Sequence, residues 1–183
     1  RVTNGLNRDG CRGGQVLDGQ RIYDNNKRIG SITYSVGANV VSLHDYQYDA
    51  LHRRTRAKRE DAHYWTYAYN SRNEVTSARK FAPDDTGLPG WGSAFSYGAV
   101  GNRLWADRGG DSAGANMRRT SYTANALNQY TGVSNPGGFD VLGQEVAAAS
   151  ITVNTAATER KGDLFRREIT VDNSAGIVRQ AVT

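Results

Sequence analysis

The sequence holds one cysteine, Cys11, so no disulfide forms within the chain and a cysteine-rich metal site is excluded. Its histidines, His44, His52 and His63, stand eight and eleven residues apart, a spacing that matches no compact metal motif, and a structural or surface role is expected for each. Hydrophobic residues, tyrosine counted and glycine not, make up 38% of the chain. No run approaches the ~18 apolar residues of a membrane span, and no signal peptide is visible. There is no Gly-x-Ser-x-Gly elbow around Ser35, Ser42, Ser121 or Ser134, no P-loop, and no Gly-x-Gly-x-x-Gly after a strand. Gly10 to Gly14 is glycine-rich, but Cys11 has no evident base there. The expectation is a protein without enzymatic activity, with no catalytic, cofactor or metal residues. The chain begins at Arg1 and its only methionine is Met117, which reads as a piece of a longer polypeptide.

What is present is modestly basic and rich in glycine and tyrosine. Net charge is +5 with a pI near 9.5, an excess too mild for a dedicated nucleic-acid binder. Glycine numbers 21 of 183, well above the ~7% average. Ten tyrosines against four phenylalanines suit half-exposed aromatic positions on a sheet with one wet face.

One sentence is written repeatedly along the chain. Anchors at Asn4, Asp24, Asp49, Asn70, Gly98 and Asn125 are spaced 20, 25, 21, 28 and 27 residues apart. Before the anchor, Tyr23, the pairs Tyr46 and Tyr48, Tyr67 and Tyr69, Phe95 and Tyr97, and then Tyr122 alternate with polar or small residues, the period of a strand. Three positions after it come Asn7, Lys27, His52, Asn73, Gly101 and Asn128, mostly types that tolerate a positive φ and so suit a tight corner. A second strand follows, as in Arg54 to Lys58 and Glu74 to Ala78. The expected fold is all-β: repeated antiparallel hairpins over 1–134 and a β-rich continuation over 135–183, with almost no helix. Ala82 to Gly92 and Asp107 to Asn116 read as joining loops, and Gln144 to Ala149 is at most one helical turn. Ile151 to Asn154, Leu164 to Glu168 and Ile169 to Asp172 read as further strands.

The frame at Tyr46, Tyr48, Asp49 and Arg53, at Tyr67, Tyr69 and Asn70, and at Tyr97, Gly101, Asn102 and Arg103 resembles the RHS, or YD-repeat, family. The tail, DVLG…ITVN…RKGDLFRREITVDNSA, looks like a segment of long bacterial members. Gly98 and Asn125 stand in place of the family's aspartate, Ala124 in place of its second tyrosine, and His52 and Lys27 where glycine is usual. The family's self-cleaving aspartate motif is not found; Pro83 to Gly87 is only superficially similar. The resemblance implies a twisted β-ribbon, or part of the wall of a hollow shell, in a secreted or cell-surface protein. The implied partners are the parent's remaining repeats and a C-terminal effector enclosed or presented by the shell.

Two other classes compete with that structural reading. Trp65, Trp91 and Trp105, with exposed tyrosines, are candidate contacts for cell-surface carbohydrate. A hydrolase would use carboxylates of the repeat loops. Against it, Asn70 and Asn125 take the place of Asp24 and Asp49, and an amide caps a turn but cannot donate a proton as an acid. The basic run Arg53 to Arg59 reads as a solvated sheet face, and no specific nucleic-acid partner is expected.

Overall fold

The computed structural model describes the backbone of residues 2–3 and all of residues 16–183. The first expected copy, with Asn4 and Asn7, and the glycine-rich stretch around Cys11 lie outside the described residues. The chain divides into two units, 1–68 and 69–183, so the expected boundary at 134/135 falls inside the second.

The first unit is built of β1 (Val2–Thr3), β2 (Leu17–Tyr23), β3 (Ile29–Val36), β4 (Asn39–Tyr48), β5 (Arg54–Arg59) and β6 (Tyr64–Tyr69), whose last residue opens the second unit. Each strand pairs antiparallel with its neighbour in sequence. Register sorts the side chains by period two. Tyr46 lies opposite Ala57 and Ala57 opposite Trp65, whereas Asp45 faces Lys58 and Lys58 faces Tyr64. The first set gives a tyrosine face and the second a largely polar one.

The second unit continues in the same style with β7 (Val75–Phe81), β8 (Gly87–Tyr97), β9 (Arg103–Gly109), β10 (Met117–Ala124) and β11 (Tyr130–Ser134), again in sequence order and antiparallel. Its tyrosine face carries Phe95, Ala106 and Thr120 in one row, and the other face carries Ser96, Trp105 and Ser121. After these come β12 (Gly138–Gln144), β13 (Thr152–Val153), β14 (Ala156–Ala157), β15 (Glu159–Lys161) and β16 (Leu164–Thr170). They form a three-stranded sheet in the order β12-β16-β15 and a β13-β14 pair. The expected all-β class holds, with no helix among the described residues.

Three segments differ from expectation, and a fourth, 144–149, takes up none of the single helical turn allowed to it. Residues 82–92 are not a joining loop: only 82–86 turn, and β8 starts at Gly87. The Pro- and Gly-rich residues are a bulge, because Lys80 alone stands against Leu88 to Trp91 between the pairs Arg79–Gly92 and Phe81–Gly87. That bulge seats Leu88, 4% exposed, against Ala82 and Leu164 with Trp91 alongside, the one core cluster among the described residues. Residues 107–109 belong to β9, which leaves 110–116 as the loop. Residues 144–149 make no helix; Gln144 ends β12, and one bond from Ala149 N–H to Val146 C=O closes a turn. Residues 164–170 form one strand where two were expected.

Candidate functional site: the corner ladder

Every described copy turns through one five-residue backbone pattern. At Asp24 the backbone N–H donates to Arg28 C=O at 2.9 Å, and Lys27 N–H returns to Asp24 C=O at 2.9 Å. At Asp49 the partners are Arg53 at 2.9 Å and His52 at 3.0 Å. Lys27 (φ 61°) and His52 (φ 64°) occupy the left-handed region that lets the strands return with matching twist. The anchor carboxylate finishes the job. Asp49 Oδ1 accepts the N–H groups of Leu51 and Arg53, each at 2.9 Å, and its Oδ2 takes Arg53 Nε at 2.7 Å. Asp24 does the same with Asn26 and Arg28.

In the second unit the chemistry changes while the backbone does not. Asn70 Oδ1 accepts from Arg72 and Glu74 N–H at 2.9 and 3.1 Å, and its Nδ2 donates to Glu74 Oε2 at 2.6 Å. The acid and the donor have exchanged places across the corner. Asn125 caps Leu127 and Gln129 and donates to Gln129 Oε1 at 3.0 Å. Gly98 has no side chain, yet its N–H reaches Asn102 C=O at 2.7 Å. Asn73 (φ 66°), Gly101 (φ 88°) and Asn128 (φ 61°) are all left-handed. The positive φ and the two backbone bonds therefore define the corner, and the anchor side chain reinforces it.

Corners are tied to their successors. In the first unit Arg28 Nη1 lies 3.0 Å from His52 Nδ1, and its guanidinium sits 4.6 Å over the Tyr48 ring. In the second, Arg72 donates to Ala99 C=O at 2.8 Å and Gly98 C=O at 2.6 Å, and Asn102 Nδ2 donates to Asn128 Oδ1 at 3.0 Å. The tyrosine before the anchor provides another tie. Tyr48 donates its hydroxyl to Ile29 C=O at 2.8 Å, and Tyr97 to Val75 C=O at 3.1 Å, each acceptor lying five residues after the preceding anchor. Where Ala124 replaces that tyrosine, Tyr130 stands directly opposite and its hydroxyl accepts from Arg103 N–H at 2.8 Å.

Sequence reading missed the corners at the opposite ends of the strands. Arg59–His63, Ala82–Thr86 and Asp111–Ala115 repeat the same two backbone bonds, with Ala62 (φ 63°), Asp85 (φ 64°) and Gly114 (φ 84°) left-handed. Asp111 and Gly114 carry the Asp-x-x-Gly spacing in plain view; without flanking tyrosines they read as loop.

Of the remaining predicted positions, Tyr46, Tyr67, Tyr69 and Tyr122 are half-buried and Tyr23 is exposed. The Tyr122 and Tyr130 rings lie 5.4 Å apart. Trp65, Trp91 and Trp105 are all half-buried, with Lys80 Nζ 4.4 Å over the Trp91 ring and Arg119 4.0 Å over Trp105. The basic run is taken up locally: Arg53 pairs with Asp49, Arg54 lies 3.9 Å over Tyr46, and Arg56 lies 3.7 Å over Tyr64.

A buried ionic node lies within the second unit. Arg166 on β16, its side chain 7% exposed, bonds Asp140 of β12 at 2.8 Å, Glu168 at 2.6 Å and Glu159 of β15 at 3.2 Å. Arg118 of β10 bonds the same Asp140, and its Nη1 lies 3.0 Å from Glu168 Oε1 as an ionic contact without hydrogen-bond alignment. Gly90 (φ 81°) makes room for it, since a Cβ there would lie 2.9 Å from Arg166 Cδ. Burial works against the Arg166 charge, but Asp140, Glu159 and Glu168 outweigh it and raise its pKa. Loss of water likewise opposes ionisation of Asp24 and Asp49, and is overcome by the N–H and guanidinium of Arg28 and Arg53, so both pKa values fall. Asp84 is pushed down to about 2 by Lys161 Nζ, 2.5 Å away, and by Thr86.

These features define an all-β protein of tandem antiparallel hairpins with an RHS-like fold. Two crystal structures share that architecture. One is TcdB2-TccC3-TEV, 16% identical with a TM-score of 0.52 over 74% of this chain and 6% of that one. The other is TcdB2-TccC3-Cdc42, 12% identical with a TM-score of 0.57 over 86% of this chain and 8% of that one. At these identities the likeness is one of fold, and this chain spans a small fraction of either. No family model and no curated protein matches the sequence.

Proposed function

We propose that this chain is a structural, non-enzymatic segment of a β-shell wall. It belongs to a larger RHS/YD-repeat protein, exported or displayed at the cell surface, that encloses or presents a C-terminal effector. One observation carries the reading: the Tyr48 and Tyr97 hydroxyls each bond the strand of the preceding copy at the same offset. Side chains that recur along this sequence are engaged in holding one copy to the next, and the anchor carboxylates are occupied by turn N–H groups and arginines. The fold shared with two TcdB2-TccC3 structures supports the same reading. An antibody raised against this chain tests it by capturing the native polypeptide for intact mass and peptide sequencing. A mass several times 20.0 kDa with further hairpin copies is expected; a native product of 20.0 kDa overturns the proposal.

A further inference from the structure

The tyrosine face of the second unit contains two arginines with no acid to answer them. Arg103 lies opposite Tyr97 and Arg108 opposite Ser93, so β9 presents both on the face that holds Phe95 and Ala106. The Arg103 guanidinium is 5.1 Å from the Phe95 ring centre and 6.0 Å from that of Tyr122, and its Nε is buried with no hydrogen-bond partner. Arg108 stands directly opposite Arg118, a repulsive cross-strand pair. Arg118 is neutralised by Asp140 and Glu168, which leaves Arg108 with the excess charge. Among the described residues neither Arg103 nor Arg108 has a carboxylate partner, whereas Arg118, Arg119 and Arg166 all do. Arg108 also lines an open cleft of about 330 Å³ between this face and β12, together with Ser93, Thr120 and Phe139.

We propose that this face is a docking site for an extended acidic peptide segment, anchored at Arg108 in the cleft and at Arg103 beyond it. Five residues of strand put the two anchors roughly 15 Å apart, which an extended partner spans with carboxylates four or five residues apart. A guanidinium offers a carboxylate two parallel hydrogen bonds, and one already shielded by aromatic rings gives up little hydration to make them. The rings of Phe95 and Tyr122 beside Arg103 supply the apolar surface that the intervening side chains of a peptide would cover.

The test is fluorescence anisotropy of a fluorescein-labelled (Glu-Ala)4 peptide titrated with the whole chain, with (Gln-Ala)4 and a single-stranded oligonucleotide of equal charge as controls. Saturable binding of the acidic peptide is expected, weakened at least tenfold by Arg103→Gln with Arg108→Gln. It should be nearly unchanged by Arg21→Gln with Lys27→Gln, which removes the same charge from the first unit. Should the Arg103 variant fail to fold, Arg108→Gln alone, at an exposed position, is expected to weaken binding several-fold. No saturable binding, equal weakening by both charge-matched pairs, or tighter binding of the oligonucleotide each overturns the proposal.

Discussion

The Tyr48 hydroxyl donates to the Ile29 carbonyl at 2.8 Å, joining one copy's tyrosine to the strand that leaves the preceding corner. Strands β3 and β4 pair from Ser31–Asp45 to Val36–Asn39, so Ile29 C=O lies beyond that ladder and the phenol serves in place of a strand. Tyr48→Phe removes that donor and leaves a half-buried carbonyl unsatisfied, with an expected loss of about 1 kcal/mol in urea unfolding. Tyr97→Phe should lose a similar amount through Val75. Tyr23→Phe is the control: Tyr23 is exposed and its hydroxyl has no partner among the described residues, so the midpoint should not move.

Backbone strain separates the corners by residue type. A Cβ at Gly101 would meet only Glu74 Oε1 at 3.5 Å, an ordinary contact, so Gly101→Val isolates the cost of placing a β-branched residue at φ 88°. That cost is about 1–3 kcal/mol. The reverse change, Lys27→Gly, relieves an exposed side chain held at φ 61°. It should stabilise by a few tenths to about 1 kcal/mol, the gain being partly offset by a more flexible unfolded chain. Urea midpoints of both variants check the pair of opposite signs.

The corner at Asn70 inverts the charge arrangement of the corners at Asp24 and Asp49. Asn70→Asp brings a second carboxylate to Glu74, which now accepts from the Asn70 amide at 2.6 Å, and should lower the melting temperature. Adding Glu74→Arg recreates the arrangement of Asp49 with Arg53, and the double variant should recover most of the loss. Additive losses in a double-mutant cycle would show that the two positions do not act as a pair.

Much of this was legible in the sequence because it is local. Alternating tyrosines set strands of period two, and a fixed three-residue offset from the anchor locates the left-handed residue. The corners at Ala62, Asp85 and Gly114 were not legible from that frame, since a positive φ needs no tyrosine beside it and two of the three are not glycine. The strand through Pro89, Gly90 and Gly92 was also hidden: its composition signals a turn, and only its seat against Ala82 and Leu164 makes it a bulged strand. The ionic node joins Arg118, Asp140, Glu159 and Arg166, which no local pattern links. That Asn70 stands where the earlier corners have an aspartate was visible, but its pairing with Glu74 appears only in three dimensions.

Acid should act through Asp84. Its folded pKa of about 2 lies below the unfolded value of 3.8, so the ion pair with Lys161 contributes fully above pH 3.8 and is lost as pH falls through 2. Asp84→Asn should therefore unfold more easily than the parent at pH 6 and equally easily below pH 2. A difference that persists unchanged into acid would assign the effect to packing and not to charge.

Arg166 is the most consequential single cation in the second unit. It answers Asp140, Glu159 and Glu168 from three strands, and removing it leaves Asp140, 6% exposed, with only Arg118 to balance it. Breaking a buried pair from one side costs roughly 3–5 kcal/mol, and Arg166→Met should approach that figure. Arg166→Lys keeps the charge but replaces a planar fork by a single ammonium that cannot reach three carboxylates in those directions, so an intermediate loss is expected. Leu164, two residues away, is packed in the cluster that Trp91 borders, so loosening of β16 should redden tryptophan emission before global unfolding. Arg166→Met with unchanged stability and unchanged emission would show that the acids reorganise without it.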